Sequence, residues 1–135
     1  MYEHYRTVKL GLAILFTAVA GESAGSQTPR LGQVMRNKLD HSQKILEAVV
    51  TSNWQELDRH SRELARAARD PAWSVLKMPE YVRHTGAFLR ATEDLIEAAR
   101  LRDLEAASLG FISLSTSCVA CHRYIARARI SAWRP

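Results

Sequence analysis

Two cysteines and a histidine near the C-terminus have the types and the spacing for cofactor chemistry. Cys118 and Cys121 are the only cysteines in the chain, and His122 directly follows the second one. The pattern C-x-x-C-H is the attachment signature of a c-type haem. The two thiols can form thioether bonds with the porphyrin vinyl groups, and the imidazole can bind the iron as the proximal ligand. The motif therefore predicts one covalently attached haem c.

Three other interpretations of the same residues each lack a feature that they need. A thioredoxin-like redox pair normally accompanies a βαβ pattern, and the sequence shows no such pattern. A zinc site needs four ligands, and no second C-x-x-C or H-x₃₋₅-H motif supplies the remaining ones. A disulfide between Cys118 and Cys121 on one helix has poor geometry. Haem attachment is therefore the favoured interpretation.

The N-terminus has the organisation of a signal peptide. Arg6 and Lys9 form a positive region, an apolar run follows, and Ala18–Ala20 offers an A-x-A cleavage site. The apolar run is shorter than the roughly 20 residues of a transmembrane helix. We expect cleavage after this motif, with a site up to Gly25 as the alternative and an uncleaved membrane anchor as the other outcome. Export agrees with haem attachment, which in bacteria occurs outside the cytoplasmic membrane, so both features predict a periplasmic protein.

The rest of the chain reads as helices. Apolar residues recur at steps of three and four in four stretches, and capping residues or prolines open each stretch. No strand pattern is present, and adjacent helices joined by short loops run antiparallel. We therefore predict an all-α fold, an antiparallel up-down-up-down four-helix bundle with the haem on its C-terminal helix. The predicted organisation is a signal peptide at 1–20, a flexible leader at 21–27, one domain at 28–130 and a tail at 131–135.

Composition supports one globular domain and excludes a nucleic-acid-binding tract. The chain has 135 residues, of which 47% are hydrophobic and 24% charged, as is usual for soluble domains. The formal charge is +5, but the basic residues are scattered and form no run. Such a charge favours contact with acidic redox partners. No nucleophile–base pair or paired carboxylates accompany the motif, so we do not expect an enzyme.

A helical domain with C-x-x-C-H near its C-terminus resembles the class II cytochromes c, the group that includes cytochrome c prime and cytochrome c-556. Most class I cytochromes c carry the motif near the N-terminus, so its position discriminates between the two classes. The resemblance covers the chain from Thr28 to Arg129. It implies a monohaem electron carrier that exchanges electrons with periplasmic redox proteins, and it allows a homodimer.

The resemblance also raises the question of a second iron ligand. Cytochrome c prime proteins have an apolar residue at the distal position on the first helix and a five-coordinate iron, whereas c-556-like proteins have a methionine there. Met35 occupies this region, so the resemblance implies His/Met ligation; a core methionine is the other interpretation. His41 is a competing candidate for the iron or for a propionate; a histidine at a helix–helix boundary, held by a hydrogen bond, is the favoured interpretation of it. Without a sixth ligand, the implied function is the binding of nitric oxide or carbon monoxide.

Cationic residues are candidates for contacts with the haem. The family commonly has an arginine four residues after the proximal histidine, but this sequence has Ala126 there. Arg123 and Arg127 lie beside that position, and either could take the role. Arg36 and Lys38 on the first predicted helix are further candidates for the propionates, since cationic donors pair well with carboxylates.

Overall fold

The computed structural model of the chain describes residues 27–74 and 76–132. The predicted signal peptide and nearly all of the leader lie outside the described residues. The helices are α1 (Gln27–Val50), α2 (Trp54–Ala67), α3 (Pro79–Leu101) and α4 (Leu104–Ala132). The described residues contain no strand, so the all-α class is confirmed. Helix α4 continues two residues into the stretch that was predicted as a tail.

Local sequence explains where three of the helices begin. The side chain of Asn53 accepts a hydrogen bond from a backbone N–H in the first turn of α2, at 3.2 Å. Pro79 opens α3, where its missing N–H would have no partner in any case. Asp103 accepts a hydrogen bond from the first turn of α4 at 3.0 Å. These caps satisfy backbone donors that would otherwise have no partner, so they place the helix starts.

The four helices surround one core. Each helix packs against two others, in the pairs α1–α2, α2–α3, α3–α4 and α1–α4. Removing a large apolar side chain from water contributes about 1.5–3 kcal/mol, so a contiguous set of such residues dominates the stability of the fold. The largest fully buried apolar side chains are Ile45, Leu57, Leu64, Phe88, Leu95 and Leu114.

The connection between α2 and α3 contributes to the core through Trp73. This side chain is 3% exposed, and its ring packs against that of Phe88. The indole Nε1 donates a hydrogen bond to the Thr85 hydroxyl at 3.0 Å, and the Tyr81 hydroxyl donates one to the Trp73 carbonyl. The indole N–H and the backbone carbonyl of Trp73 therefore both have hydrogen-bond partners on α3, which ties the connection to the start of that helix.

Helix α1 differs from the simple amphipathic pattern. Leu39 and Leu46 belong to its predicted apolar stripe, but they are 59% and 46% exposed. Lys38, by contrast, is buried at 6% exposure. The spacing of apolar residues identified the helix correctly, but it does not distinguish a face that packs on other helices from a face that borders a groove.

The closest approach between helices at a glycine occurs at Gly110, where α4 meets α3. A Cβ at this position would lie 3.1 Å from both Cγ and Cδ2 of Leu95, a fully buried side chain. At Gly86 on α3, a Cβ would meet only the guanidinium of Arg90, at 3.5 Å. Gly110 therefore serves helix packing, whereas the site at Gly86 has room for a side chain.

Substituting the two glycines tests this difference. Gly110→Ala should lower the free energy of unfolding by about 1–3 kcal/mol, because the added methyl group overpacks against Leu95, which is fully buried and must move to make room. Gly86→Ala is the matched control and should raise it by about 0.5–1 kcal/mol, the usual gain in a helix interior. Urea denaturation followed by circular dichroism measures both. A stabilising Gly110→Ala would contradict the close approach of α3 and α4.

Candidate functional site

The two cysteines lie one turn apart on α4 and contact different neighbours. Residues three apart in an α-helix are offset by about 60° around its axis. Both cysteines pack against the core, and Cys118 also borders a groove between α4 and α1. Burial, and secondarily the nearby Cys121, raises the pKa of Tyr81 on α3. Both thiols are half-buried, and of the two Cys118 is the one that lines the groove.

The groove between α1 and α4 has a volume of about 390 Å³. Small-molecule and cofactor sites typically measure roughly 300–1,000 Å³ and are mostly apolar, as this one is. It brings Met35 of α1 into the same cavity as Cys118 and His122 of α4. Its remaining lining residues are Lys38, Leu39, Ser42, Gln43, Leu46, Phe111, Leu114 and Ser115.

His122 is exposed and belongs to two surfaces. It lines the groove, and it also borders a shallow apolar surface on α4 together with Val119, Arg123 and Ala126. Because the imidazole is exposed and borders the groove, it can reach a group bound there without any change in the core. The two thiols and this imidazole are held within about one turn of a single helix.

Only one of the predicted cationic residues lines the groove. Arg123 borders the shallow apolar surface, and Arg127 is exposed. Arg36 is exposed as well, and its guanidinium donates a hydrogen bond at 2.9 Å to a glutamine one turn earlier on α1. Lys38 is the cation among the groove residues. The structure thus does not bring the predicted arginines to the groove, because their side chains point into solvent along α1 and α4.

His41 lies on another side of α1 and does not line the groove. Its Nδ1 is 2.8 Å from Nδ1 of His60 on α2, and the ring centroids are 5.1 Å apart. His41 is six residues from Met35, about 120° around the helix axis, so it faces α2 instead. His41 thus lies at the contact between α1 and α2, as the boundary interpretation predicts, and the structure does not bring it to the groove.

The partner of His41 is a buried histidine. His60 is 7% exposed, and its Nε2 lies 3.3 Å from a Glu56 carboxylate oxygen and 3.2 Å from the Arg59 guanidinium. Burial lowers the pKa of His60, as do the charges of Arg59 and His41, while Glu56 opposes them. A hydrogen bond between two Nδ1 atoms needs one donor and one acceptor, so the pair requires that one ring stay neutral.

Lys38 is the functional candidate whose surroundings could not be read from the sequence. Its Nζ lies 4.6 Å from the ring centroid of Trp73 and 4.3 Å from that of Phe88. Among the described residues, no carboxylate forms an ion pair with it. Cation–π contacts contribute about 0.5–2 kcal/mol, which is less than the several kcal/mol that desolvating a charge costs. Burial raises the pKa of the Cys121 thiol, and the charge of Lys38 opposes this shift.

Helix α4 is unusually apolar. Of the helices in the described part of the chain, it alone is long and apolar enough to cross a membrane by length and composition, over Leu104–Ala128. A core helix of a soluble protein meets the same criterion. The groove accounts for part of this character, since Phe111, Leu114 and Cys118 line it. Ile112 and Val119 are exposed apolar residues of the same helix.

Comparisons with protein-family models, with curated proteins and with solved structures found no match for this chain. Within residues 27–74 and 76–132, no group of three or more His, Cys, Asp or Glu side chains is arranged to hold a metal ion. The site is therefore interpreted from its own geometry. The Cys118 thiol and the His122 imidazole on α4 border one apolar groove together with the Met35 thioether and the Lys38 side chain on α1. The second thiol, Cys121, packs against the core.

The histidine pair predicts how stability depends on pH. The pKa of His60 is lower in the folded chain than the ordinary value of about 6.5. Between these two values the unfolded chain binds a proton that the folded chain excludes. The stabilising contribution is therefore fully present above about pH 6.5 and is lost as the pH falls through the folded value. Urea unfolding at a series of pH values measures this loss.

A substitution assigns the loss to this pair. His60→Asn cannot titrate but keeps a polar group facing His41, so the fall in stability on acidification should become shallower. His84→Asn is the control, because the ring of His84 packs against Tyr124 of α4, away from the pair. An acid dependence as steep in His60→Asn as in the wild type would rule out His60 as its source.

Proposed function

We propose that the chain is a monohaem c-type cytochrome that carries electrons in the bacterial periplasm. The observation that supports this most strongly is the meeting of Cys118 and His122 of the C-x-x-C-H motif with Met35 at one apolar groove. Cys118 and Cys121 would form the thioether bonds, His122 would be the proximal ligand and Met35 the distal ligand. The class II cytochromes c, which the chain resembles, combine these elements.

The residues of the groove fit a haem chemically. A porphyrin is a flat apolar group, and the apolar side chains of both walls suit it. Thiols separated by two residues match the two vinyl groups, and imidazole and thioether are suitable iron ligands. The exposed Leu39 and Leu46 support the same interpretation, because a haem in the groove would cover them.

The arrangement of helices supports an antiparallel up-down-up-down bundle. Each helix packs against its neighbours in the chain, and α1 also packs against α4, as expected for such a bundle. The connections after α1 and α3 are only a few residues long, which favours antiparallel neighbours. In this arrangement the haem would lie between the first and last helices.

The chain's own residues would bind and orient the cofactor and exclude water from it. When bound, haem supplies one-electron chemistry of iron. Cys118 and Cys121 would hold the cofactor through thioether bonds, and the apolar walls of the groove would limit access of water, which tunes the potential. A methionine as axial ligand also raises the potential. This function needs periplasmic redox proteins as partners and no catalytic residue, and the signal-peptide pattern supports export.

A second function, the binding of nitric oxide or carbon monoxide, competes with the first. It requires that Met35 leave the distal position open. The apolar side chains Leu39 and Leu46 on the same wall favour such a pocket, because they offer no other iron ligand. The two functions predict different absorption spectra for the haem-loaded protein. Comparing the spectrum of the wild type with that of a Met35 variant therefore separates them.

Removing the thiols tests the attachment of haem. Cys118→Ala/Cys121→Ala should lose all covalent haem, because no other thiol exists in the chain. The protein would be produced with the c-type maturation system, extracted with acidified acetone and assayed as the pyridine haemochrome. Ser115→Ala is the control and should retain full attachment, because Ser115 lines the same groove but has no thiol to bond to the haem. Absence of covalent haem from the wild-type protein would overturn the proposed function.

Substituting Met35 tests the distal ligand. The wild-type protein should show a low-spin ferrous spectrum with a sharp α-band and a weak ferric band from sulfur ligation. Met35→Ala should become high-spin and bind carbon monoxide promptly. Met78→Ala is the control, because Met78 lies next to Tyr124 at the start of α3, outside the groove. A high-spin wild-type protein would support the gas-binding function instead.

A further inference from the structure

Lys38 lies one turn after Met35 on α1 and is the only charged residue of α1 among those that line the groove. A lysine at the rim of a groove usually extends its ammonium into water. Lys38 does not: it is 6% exposed, and its Nζ points at the faces of Trp73 and Phe88. The side chain therefore holds a positive charge at the inner wall of the groove, against the core.

This charge is not balanced by the part of the chain that the structure describes. Every ion pair there joins other residues, and the partners of Lys38 are two aromatic rings. In a site of low dielectric, an unbalanced charge acts over a longer distance and more strongly than at the surface. Mobile ions screen it little, because they cannot approach it. The groove thus has a fixed positive potential on its α1 side.

We propose that Lys38 raises the reduction potential of the haem in this groove. This inference rests on the proposed function. Reduction adds one electron, supplied by a partner redox protein, and lowers the net charge of the site by one. A fixed positive charge beside the site stabilises the reduced form relative to the oxidised form. Lys38 would therefore shift the reduction potential through its charge, in addition to the effect of the axial ligand.

Substitution of Lys38 tests the proposal, with a second lysine of α1 as the matched control. Lys38→Met removes the charge and keeps an unbranched apolar side chain of similar size. Lys44→Met removes the same charge from an exposed position, where Lys44 pairs with Glu47 on the side of α1 that faces α2. The midpoint potential of each haem-loaded protein is measured by spectroelectrochemical titration at low and at high salt.

We expect Lys38→Met to lower the midpoint potential by several times the shift in Lys44→Met. The difference should persist at high salt, because the charge of Lys38 is shielded from ions. Lys38→Arg keeps the charge and should restore most of the wild-type potential. Equal shifts in the two methionine variants, or a Lys38→Arg potential as low as that of Lys38→Met, would overturn the proposal.

The two proposals fail in different ways. A wild-type protein without covalent haem contradicts the proposed function itself. A haem-loaded wild-type protein whose potential does not respond to Lys38 contradicts only the role of Lys38. If Lys38→Met does not fold, Lys38→Gln provides a neutral side chain that retains a polar end, and the same potential shift is expected from it.

Discussion

The packing of α4 against α3 determines how the chemical groups of the chain are presented. Gly110 lets α4 approach Leu95 closely, and this contact fixes the rotation of α4 about its axis. Because the two cysteines are offset by about 60°, Cys118 then borders the groove beside α1, while Cys121 packs against the core away from that groove. A small rotation of α4 would move both thiols away from these positions. The geometry of the site thus depends on a packing contact more than two turns away.

The helices and their starts could be predicted from the sequence because their signals are local. Asn53 and Asp103 cap the helices that follow them, and apolar spacing marks each helix. The placement of the C-x-x-C-H residues on one helix could also be predicted, since the motif depends on spacing within one turn. The groove was not readable, because Leu39 has the same periodicity as a core residue although it is exposed.

The surroundings of polar residues depended on contacts between distant segments. His60 is a polar residue on an amphipathic helix, and yet it is buried against His41 of another helix. Lys38 is buried because Trp73 and Phe88, both far away in the sequence, form a surface beneath it. Periodicity describes one helix at a time, so it contains no information about such pairs. Only the assembled helices show which polar side chains are removed from water.

Met35 packs only partly against the core, so it is not one of the buried residues that anchor α1. Farther along the helix, α1 is anchored by Ile45 and Val49 in the core and by His41 against α2. None of these residues lines the groove. Position 35 can therefore accept another side chain while the anchors stay intact. As a scaffold for engineering, the chain would allow a designer to vary the wall opposite His122 without redesigning the fold that supports it.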